Sequence, residues 1–194
     1  SALRCEGVRA LLAALGGCTL APACGPDFAA QVYKVSYGEK GERLTHLKVT
    51  GGALRAKQPL RAQDGGWQEK ADQLRIYSGA KYTAVSEAPA GTVCAVTGLS
   101  HTYAGEALGC QPPAQAPVLE PVLTYRVVCG GGQDMYAALQ KLRTLEEEDP
   151  QLRVEWNAQL GEIHLRVMGE VQLEVLARLA QQRFGLALRF DEGG

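Results

Sequence analysis

The sequence predicts a multidomain protein made of a small antiparallel β-barrel followed by a ferredoxin-like α+β sandwich in the order βαββαβ. Three observations predict it. From Phe28 to about Gly109, short β-branched and aromatic runs alternate with glycine-rich turns, and no helical period lasts three turns. Gln111 to Pro117 then carries three prolines in seven residues, a stiff connector between domains. Beyond it the pattern becomes strand, helix, strand, strand, helix, strand, which packs two helices on one face of a four-stranded sheet.

The first segment, residues 1–25, is too short to fold alone. Val8, Leu11, Leu12 and Leu15 have the i, i+3, i+4, i+7 spacing of an amphipathic helix, which Gly16-Gly17 should stop. An irregular connector follows, closed by Pro22, Gly25 and Pro26. Leu11 to Cys18 also resembles a short signal-peptide core, with Ala21-Pro22-Ala23 as a mimic of a cleavage site. Glu6 beside the apolar run and the helical spacing favour the first reading. No run approaches the roughly 20 apolar residues that a membrane span needs.

The barrel is expected over residues 26–110. Phe28 to Tyr37 reads as a strand, Gly38-Glu39-Lys40-Gly41 as a hairpin turn, Leu44 to Val49 as the return strand and Gly51-Gly52 as the next turn. Leu74 to Tyr77, Tyr82 to Val85 and Thr92 to Val96 are further strands, separated by glycine- and proline-bearing turns. The linker covers 111–117 and the second domain 118–194. There, Val118 to Cys129 is a strand, and Met135, Ala138, Leu139 and Leu142 stripe a helix that must end before Pro150. Strands follow at Leu152 to Trp156 and at Ile163 to Val167, where Ile163, Leu165 and Val167 alternate with polar or flexible neighbours. A helix with Val171, Val175, Leu176 and Leu179 on one face leads to a last strand, Leu186 to Phe190.

Composition narrows the function classes. The chain has 194 residues, 46% of them hydrophobic, enough for real cores. A formal charge of −1 excludes a uniformly basic nucleic-acid binder, yet the sign is unevenly spread. From Gln31 to Arg61 seven Lys or Arg face Glu39 and Glu42, and from Asp134 to Glu174 nine acidic residues face four basic ones. One end is therefore suited to phosphate and the other is not. The six cysteines lack C-x-x-C spacing and only three histidines are available, which argues against a zinc site. A disulfide framework is equally out of keeping with a chain of this length, so most of the cysteines read as reduced, half-buried thiols of a cytoplasmic protein.

No self-contained active site emerges. Gly130-Gly131-Gly132-Gln133-Asp134 lacks the Gly-Lys-Ser/Thr of a phosphate loop and reads as a strand-to-helix turn. Glu146-Glu147-Glu148-Asp149 crowds carboxylates at a helix C-terminus, where the dipole disfavours them; a solvated surface run is the default and a cation or basic partner the alternative. His46, His101 and His164 read as structural. If Gly38 to Arg43 is a hairpin tip, Lys40 and Arg43 project from the barrel rim with Lys48 nearby, a candidate contact to an RNA backbone, with a solvated hairpin as the equal alternative from charge alone.

Several blocks carry a family resemblance. Glu148-Asp149-Pro150, the strand pair after it and Met168-Gly169-Glu170-Val171-Gln172-Leu173-Glu174 resemble the third domain of translational GTPases of the elongation factor G class. Gly41 to Val49 with its glycine pair, and Ala90 to Leu99, resemble strands of the second-domain barrel. Ser1-Ala2-Leu3 with Gly7-Val8 and Leu11-Leu12 resembles the last guanine-contact motif of the GTPase domain and its closing helix. Gln172 stands where elongation factor G typically has histidine, and the strand ending at Cys129 lacks the usual Glu-Pro. Gln at that position is similar to the ribosomal protection proteins of tetracycline resistance and to GTPase-type release factors; Asp149-Pro150 favours the former.

The resemblance implies an elongation-factor domain II barrel, a domain III and, in residues 1–25, the end of a GTPase domain. It implies a parent that binds GTP and Mg²⁺, with Ser1, Ala2 and Leu3 as a nucleotide-binding remnant, and that meets small-subunit rRNA and protein of the ribosome. No cofactor, membrane or oligomeric partner is expected for this chain itself. The implied activity is displacement of tetracycline from the ribosome on GTP hydrolysis. The alternatives are elongation factor G, a GTPase-type release factor, or an RNA- or protein-binding adaptor without GTPase ancestry. Lacking the phosphate loop and magnesium ligands, this chain alone should release no phosphate from GTP; turnover above background in a phosphate-release assay would refute that.

Overall fold

The structure, a computed structural model, describes residues 3–19, 24–38, 41–114, 119–130, 132 and 134–192. The barrel is organised by a long antiparallel hairpin, β1 (Ala29–Tyr37) and β2 (Arg43–Gly51). Short strands follow: β3 (Ala53–Arg55), β4 (Pro59–Arg61), β5 (Gln68–Lys70), β6 (Leu74–Ser78), β7 (Lys81–Val85), β8 (Glu87–Pro89), β9 (Val93–Val96) and β10 (Ala107–Gly109). Four of them join the hairpin in one six-stranded sheet of order β10-β1-β2-β9-β6-β7, and β3-β8 and β4-β5 pair as ribbons. A bridge between Ala62 and Leu108 ties the second ribbon to the β10 edge.

Alternation builds the core. Leu47 and Val49 of β2 are fully buried beside Val32, Leu54, Leu74 and Leu108, while His46 and Lys48 point the other way. Each such leucine contributes about 1.5–3 kcal/mol relative to exposure. A register shift between Val32 and Lys34 interrupts the alternation, so Tyr33 and Lys34 are both exposed. At the barrel seam Gly109 has φ +63, and a Cβ there would collide with the Phe28 carbonyl. Only glycine lets the two segments pass.

The second domain contains β11 (Leu123–Cys129), α2 (Met135–Glu148), β12 (Arg153–Asn157), β13 (Glu162–Val167), α3 (Glu170–Phe184) and β14 (Leu188–Glu192). Its sheet has the order β12-β13-β11-β14, antiparallel throughout, with both helices packed on it. This is the ferredoxin-like arrangement. Asp134 caps α2 by accepting the Tyr136 N–H at 3.0 Å, and Gly185, at φ +67, ends α3. Ala138, Leu139, Leu142 and Leu145 meet Leu173, Leu176 and Ala180 over Val154, Ile163, Leu165 and Val167.

Several expectations need correction. The first helix, α1 (Val8–Cys18), runs through Gly16-Gly17 instead of stopping there, and its apolar side packs on nothing described, with Leu11 60% and Leu12 62% exposed. The first strand of the second domain starts at Leu123. Residue 118 and residues 115–117 of the expected linker lie outside the described residues. Helix α3 buries Leu173, Leu176 and Ala180, whereas Val171 is 73% and Val175 52% exposed. Val175 and Leu179 face the barrel across a small cleft instead of the sheet below. Among the described residues no helix is long and apolar enough to cross a membrane.

Candidate functional site

The hairpin rim that the sequence marked as basic is the place where the two domains meet. Arg43, the first residue of β2, donates from Nε to Glu147 Oε2 at 2.8 Å and from Nη1 to the Leu99 carbonyl and Thr102 Oγ1, both at 2.9 Å. Its Nη2 donates to the Thr102 carbonyl. Thr45 and Thr102 hydroxyls are paired at 2.6 Å beneath it. The Arg43 side chain is only 14% exposed. Glu147 also accepts the Tyr37 hydroxyl at 2.8 Å, and the Tyr37 N–H donates to Glu148 Oε1 at 3.0 Å. Burial, then the Glu147 hydrogen bond, push the Tyr37 phenol above its usual value.

The acidic run at the end of α2 therefore is not a solvated face. Glu146 accepts the Val154 N–H and an Arg143 N–H, both at 2.8 Å, and Glu148 accepts from Arg183. Asp149 accepts the Gln172 amide at 2.8 Å through one oxygen and the Gln151 N–H at 3.0 Å through the other. Gln172 in turn accepts the Met168 N–H at 2.9 Å. Each carboxylate of the run has a named partner, which offsets the unfavourable helix dipole. Between Lys34 and Ser36 of the barrel and Leu145, Val175 and Leu179 of the second domain lies a cleft of about 240 Å³.

A larger cleft of about 950 Å³ is lined by Tyr33, Trp67, His101, Tyr103 and Glu106 of the barrel and by Pro150 of the second domain. Glu106, 5% exposed, accepts the Trp67 indole N–H at 2.9 Å, and burial raises its carboxyl above the usual range. At the lip, Glu69 accepts the Ser100 N–H at 2.7 Å, the Ser100 hydroxyl and the His101 N–H at 3.2 Å, and lies 2.8 Å from His101 Nδ1. Burial would raise this carboxyl, but the hydrogen bonds from Ser100 and His101 outweigh it and hold it at about 2. Ser100 and Glu69 both address His101 Nδ1. A nucleophile relay needs the two on opposite ring nitrogens, so this Ser-His-Glu cluster is a loop clasp.

The other histidines have similar local partners: His46 Nε2 is 2.7 Å from Ser36 Oγ, and His164 Nε2 is 3.2 Å from Glu162. Burial, then Lys34, lower the His46 imidazole below its usual value. Among the described residues no three His, Cys, Asp or Glu side chains converge as a metal set. The thiols differ from the half-buried expectation. Cys94 is buried, its thiol pushed up to about 11 by burial, and Cys129 is half-buried, whereas Cys5, Cys18, Cys24 and Cys110 are exposed.

Of the candidate contact residues, Lys48 is exposed on the outer face of β2, Arg43 is turned into the contact between domains, and Lys40 lies outside the described residues. Ser1 and Ala2 also lie outside them, and Leu3 is 96% exposed. The basic stretch is partly neutralised from afar: Arg55 pairs with Glu87 and Lys57 with Asp72. Sequence reasoning missed Tyr33, Tyr77 and Tyr82, which are exposed on the outer face of the sheet beside His46. The spacing of Tyr77 and Tyr82 across the Ser78-Gly79 turn was the available signal.

Residues 27–110 match the family model described as elongation factor G domain 2, and residues 118–192 match that of elongation factor G, domain III. The chain is 32% identical over 170 residues to elongation factor G 1 of Geobacter sulfurreducens, covering 85% of this chain and 24% of that protein. It is 29% identical over 177 residues to elongation factor 2 of Methanopyrus kandleri, covering 87% of this chain and 14% of that one. A crystal structure of a Thermus thermophilus protein superposes with a TM-score of 0.77 at 26% identity, covering 95% of this chain and 29% of the other. The chain thus spans about a quarter or less of the length of these curated relatives.

Two outcomes follow from the geometry. Arg43→Ala should destabilise the barrel by about 2–3 kcal/mol, because it leaves buried carbonyl and hydroxyl oxygens without donors. Glu147→Gln, at a half-exposed partner, should cost about 1 kcal/mol or less. A double-mutant cycle in urea checks both, and a larger loss from Glu147→Gln than from Arg43→Ala would contradict the assignment. Glu69 has a folded value depressed from 4.5 to about 2, so its contribution is fully present above about pH 4.5 and disappears as pH falls toward 2. In acid denaturation, Glu69→Gln should flatten the loss of barrel stability across that window.

Proposed function

The two folded units of this chain belong to the domain 2 and domain III families of elongation factor G, and from that premise we propose that the chain is the ribosome-associated middle part of a translational GTPase of the elongation factor G or elongation factor 2 type. The carrying observation is that both domains match in succession, over 85% of the chain, to one elongation factor G. The Arg43–Glu147 contact supports a working unit in which barrel and sandwich move as one body. GTP and Mg²⁺ belong, on this reading, to a further domain of the longer protein, with Ser1, Ala2 and Leu3 as the edge of its nucleotide pocket. The partner is the small ribosomal subunit, rRNA and protein, met by a monomer.

Within the candidate trio, Lys48 is the best placed for a phosphate, and Lys40 is kept as a second phosphate contact on the sequence alone. Arg43 serves the contact between domains. A ribosomal protection role rests on Gln172. Its amide joins Asp149 to the Met168 N–H, so the residue is accounted for by the start of α3. The relatives, elongation factors G and 2, favour an elongation factor over a ribosomal protection protein.

Co-sedimentation with small ribosomal subunits tests this reading. The chain should pellet with them at low salt, and Lys48→Glu should weaken binding several-fold and reduce its salt dependence. Unchanged binding by Lys48→Glu would remove the phosphate assignment, and no pelleting at low salt would remove the ribosome. For the longer protein, support of peptide elongation without a change in tetracycline susceptibility is the expected pair of results.

A further inference from the structure

On the outer face of the barrel sheet, aromatic rings form a row across four strands. Tyr33 and His46 have ring centroids 6.1 Å apart, His46 and Tyr77 6.3 Å, and Tyr77 and Tyr82 5.4 Å, all tilted by 42–54°. Tyr33 is 50%, Tyr77 38% and Tyr82 47% exposed. The tilts prevent flat stacking of one ring on the next, and each tyrosine keeps part of its surface in solvent, with Arg75 over the Tyr82 ring. Tyr77 and Tyr82 are direct cross-strand partners on β6 and β7, and β7 is the edge of the sheet. Ala95 stands in register between His46 and Arg75 and is buried, 1% exposed, so the His46 and Tyr77 rings close over the strand between them.

Cations flank this row, with Lys34 also bordering the cleft that Glu148 and Asp149 line and Arg75 paired with Glu42. Lys34 is opposite His46, Lys48 is two residues further along the same face of β2, and the Arg75 guanidinium lies 4.4 Å from the Tyr82 ring centroid. Arg75 is also held by Glu42 at 3.1 Å, which fixes it over the ring. A surface made to bury a hydrophobic protein partner would carry leucine, isoleucine or methionine among the rings. This one carries phenols, an imidazole and cations. Unpaired bases and their phosphates are the partner with matching chemistry: bases stack on the rings without regard to sequence, and the cations meet the backbone.

We propose that this face, with Tyr33, His46, Tyr77 and Tyr82 as the platform and Lys34 and Lys48 as phosphate contacts, binds single-stranded RNA by base stacking. The inference deepens the ribosome reading and rests on it for the identity of the RNA. The bulge after Val32 is what makes the site, because it turns Tyr33 and Lys34 outward together. Duplex RNA, whose bases are stacked on one another, has no free faces to offer and should bind by charge alone.

The test uses the whole chain and a fluorescent, unstructured 12-nucleotide RNA, free or annealed to its complement, followed by anisotropy at low salt. The single strand should bind at least tenfold more tightly than the duplex. Tyr77→Ala and Tyr82→Ala should each weaken it by about 5- to 100-fold, and Phe at either position should restore binding, because the ring is what stacks. Tyr82 lies on the edge strand, so its variants report even if Tyr77→Ala disturbs the fold. Equal affinity for single strand and duplex, or no effect of Tyr82→Ala, would overturn the platform. Small-subunit pelleting separates the two readings. Tyrosine-dependent RNA binding without pelleting upholds the platform and removes the ribosome; pelleting that is indifferent to Tyr82→Ala does the reverse. Pelleting that needs Tyr82 while no single-stranded RNA binds would assign the face to a ribosomal protein and overturn the RNA proposal.

Discussion

The Arg43 guanidinium is the interaction on which the arrangement of this chain depends. It is nearly buried, and its donors are distributed among a carboxylate of α2, two carbonyls and a hydroxyl of the 99–102 loop. A planar fork can satisfy all of these at once, which an ammonium group cannot. The same side chain therefore fixes the start of β2, the loop that crosses the barrel end, and the C-terminus of α2, the first helix of the second domain. Four consecutive acidic residues at a helix C-terminus would otherwise repel one another and the dipole. Here Arg43, Arg143 and Arg183, the Gln172 amide and the Tyr37 and Val154 N–H groups supply the compensation.

That contact also decides which surfaces remain for partners. With Arg43 turned inward, the positive charge of the barrel rim is smaller than the sequence implies, and what stays open is the outer sheet face with Lys34, Lys48 and the tyrosine row. The exposed flank of α3, with Val175 and Leu179, is likewise explained by position: it borders the cleft toward β1. Gln172 holds the start of α3 to Asp149, so the helix stop at Pro150 and the restart at Gly169 are one hydrogen-bonded junction. The domains are joined by polar contacts of defined direction, and each has its own apolar cluster.

The long elements were legible because each has enough residues to express a period. The β1–β2 hairpin, α2, β13 and the order of the second domain follow from alternation, helical stripes and the breaks at Pro150, Gly161 and Gly169. Strands β3, β4, β5, β8 and β10 have three residues each and were not legible. They exist because a partner strand offers a ladder, and a three-residue segment has no period to read. The apolar face of α3 was misread because Val171, Val175 and Leu179 are also at helical spacing; which of two overlapping stripes is buried depends on where the sheet lies. The glycine pair in α1 did not end the helix, since glycine disfavours but does not forbid continued helical geometry.

The sequence by itself determined the succession of a β-barrel and a βαββαβ sandwich and the resemblance to elongation factor G, because local periodicity, turn residues and short motifs are properties of neighbours in the chain. The tertiary structure alone decided the partners of the charges. Arg43 and Glu147 are 104 positions apart and Tyr37 and Glu148 are 111 apart, so neither pair leaves a local pattern. A basic stretch and an acidic stretch that looked like separate surfaces are in part each other's counterions. The tyrosine row belongs to the same class, since a platform assembled from β1, β2, β6 and β7 exists only after long-range strand pairing has brought its rings together.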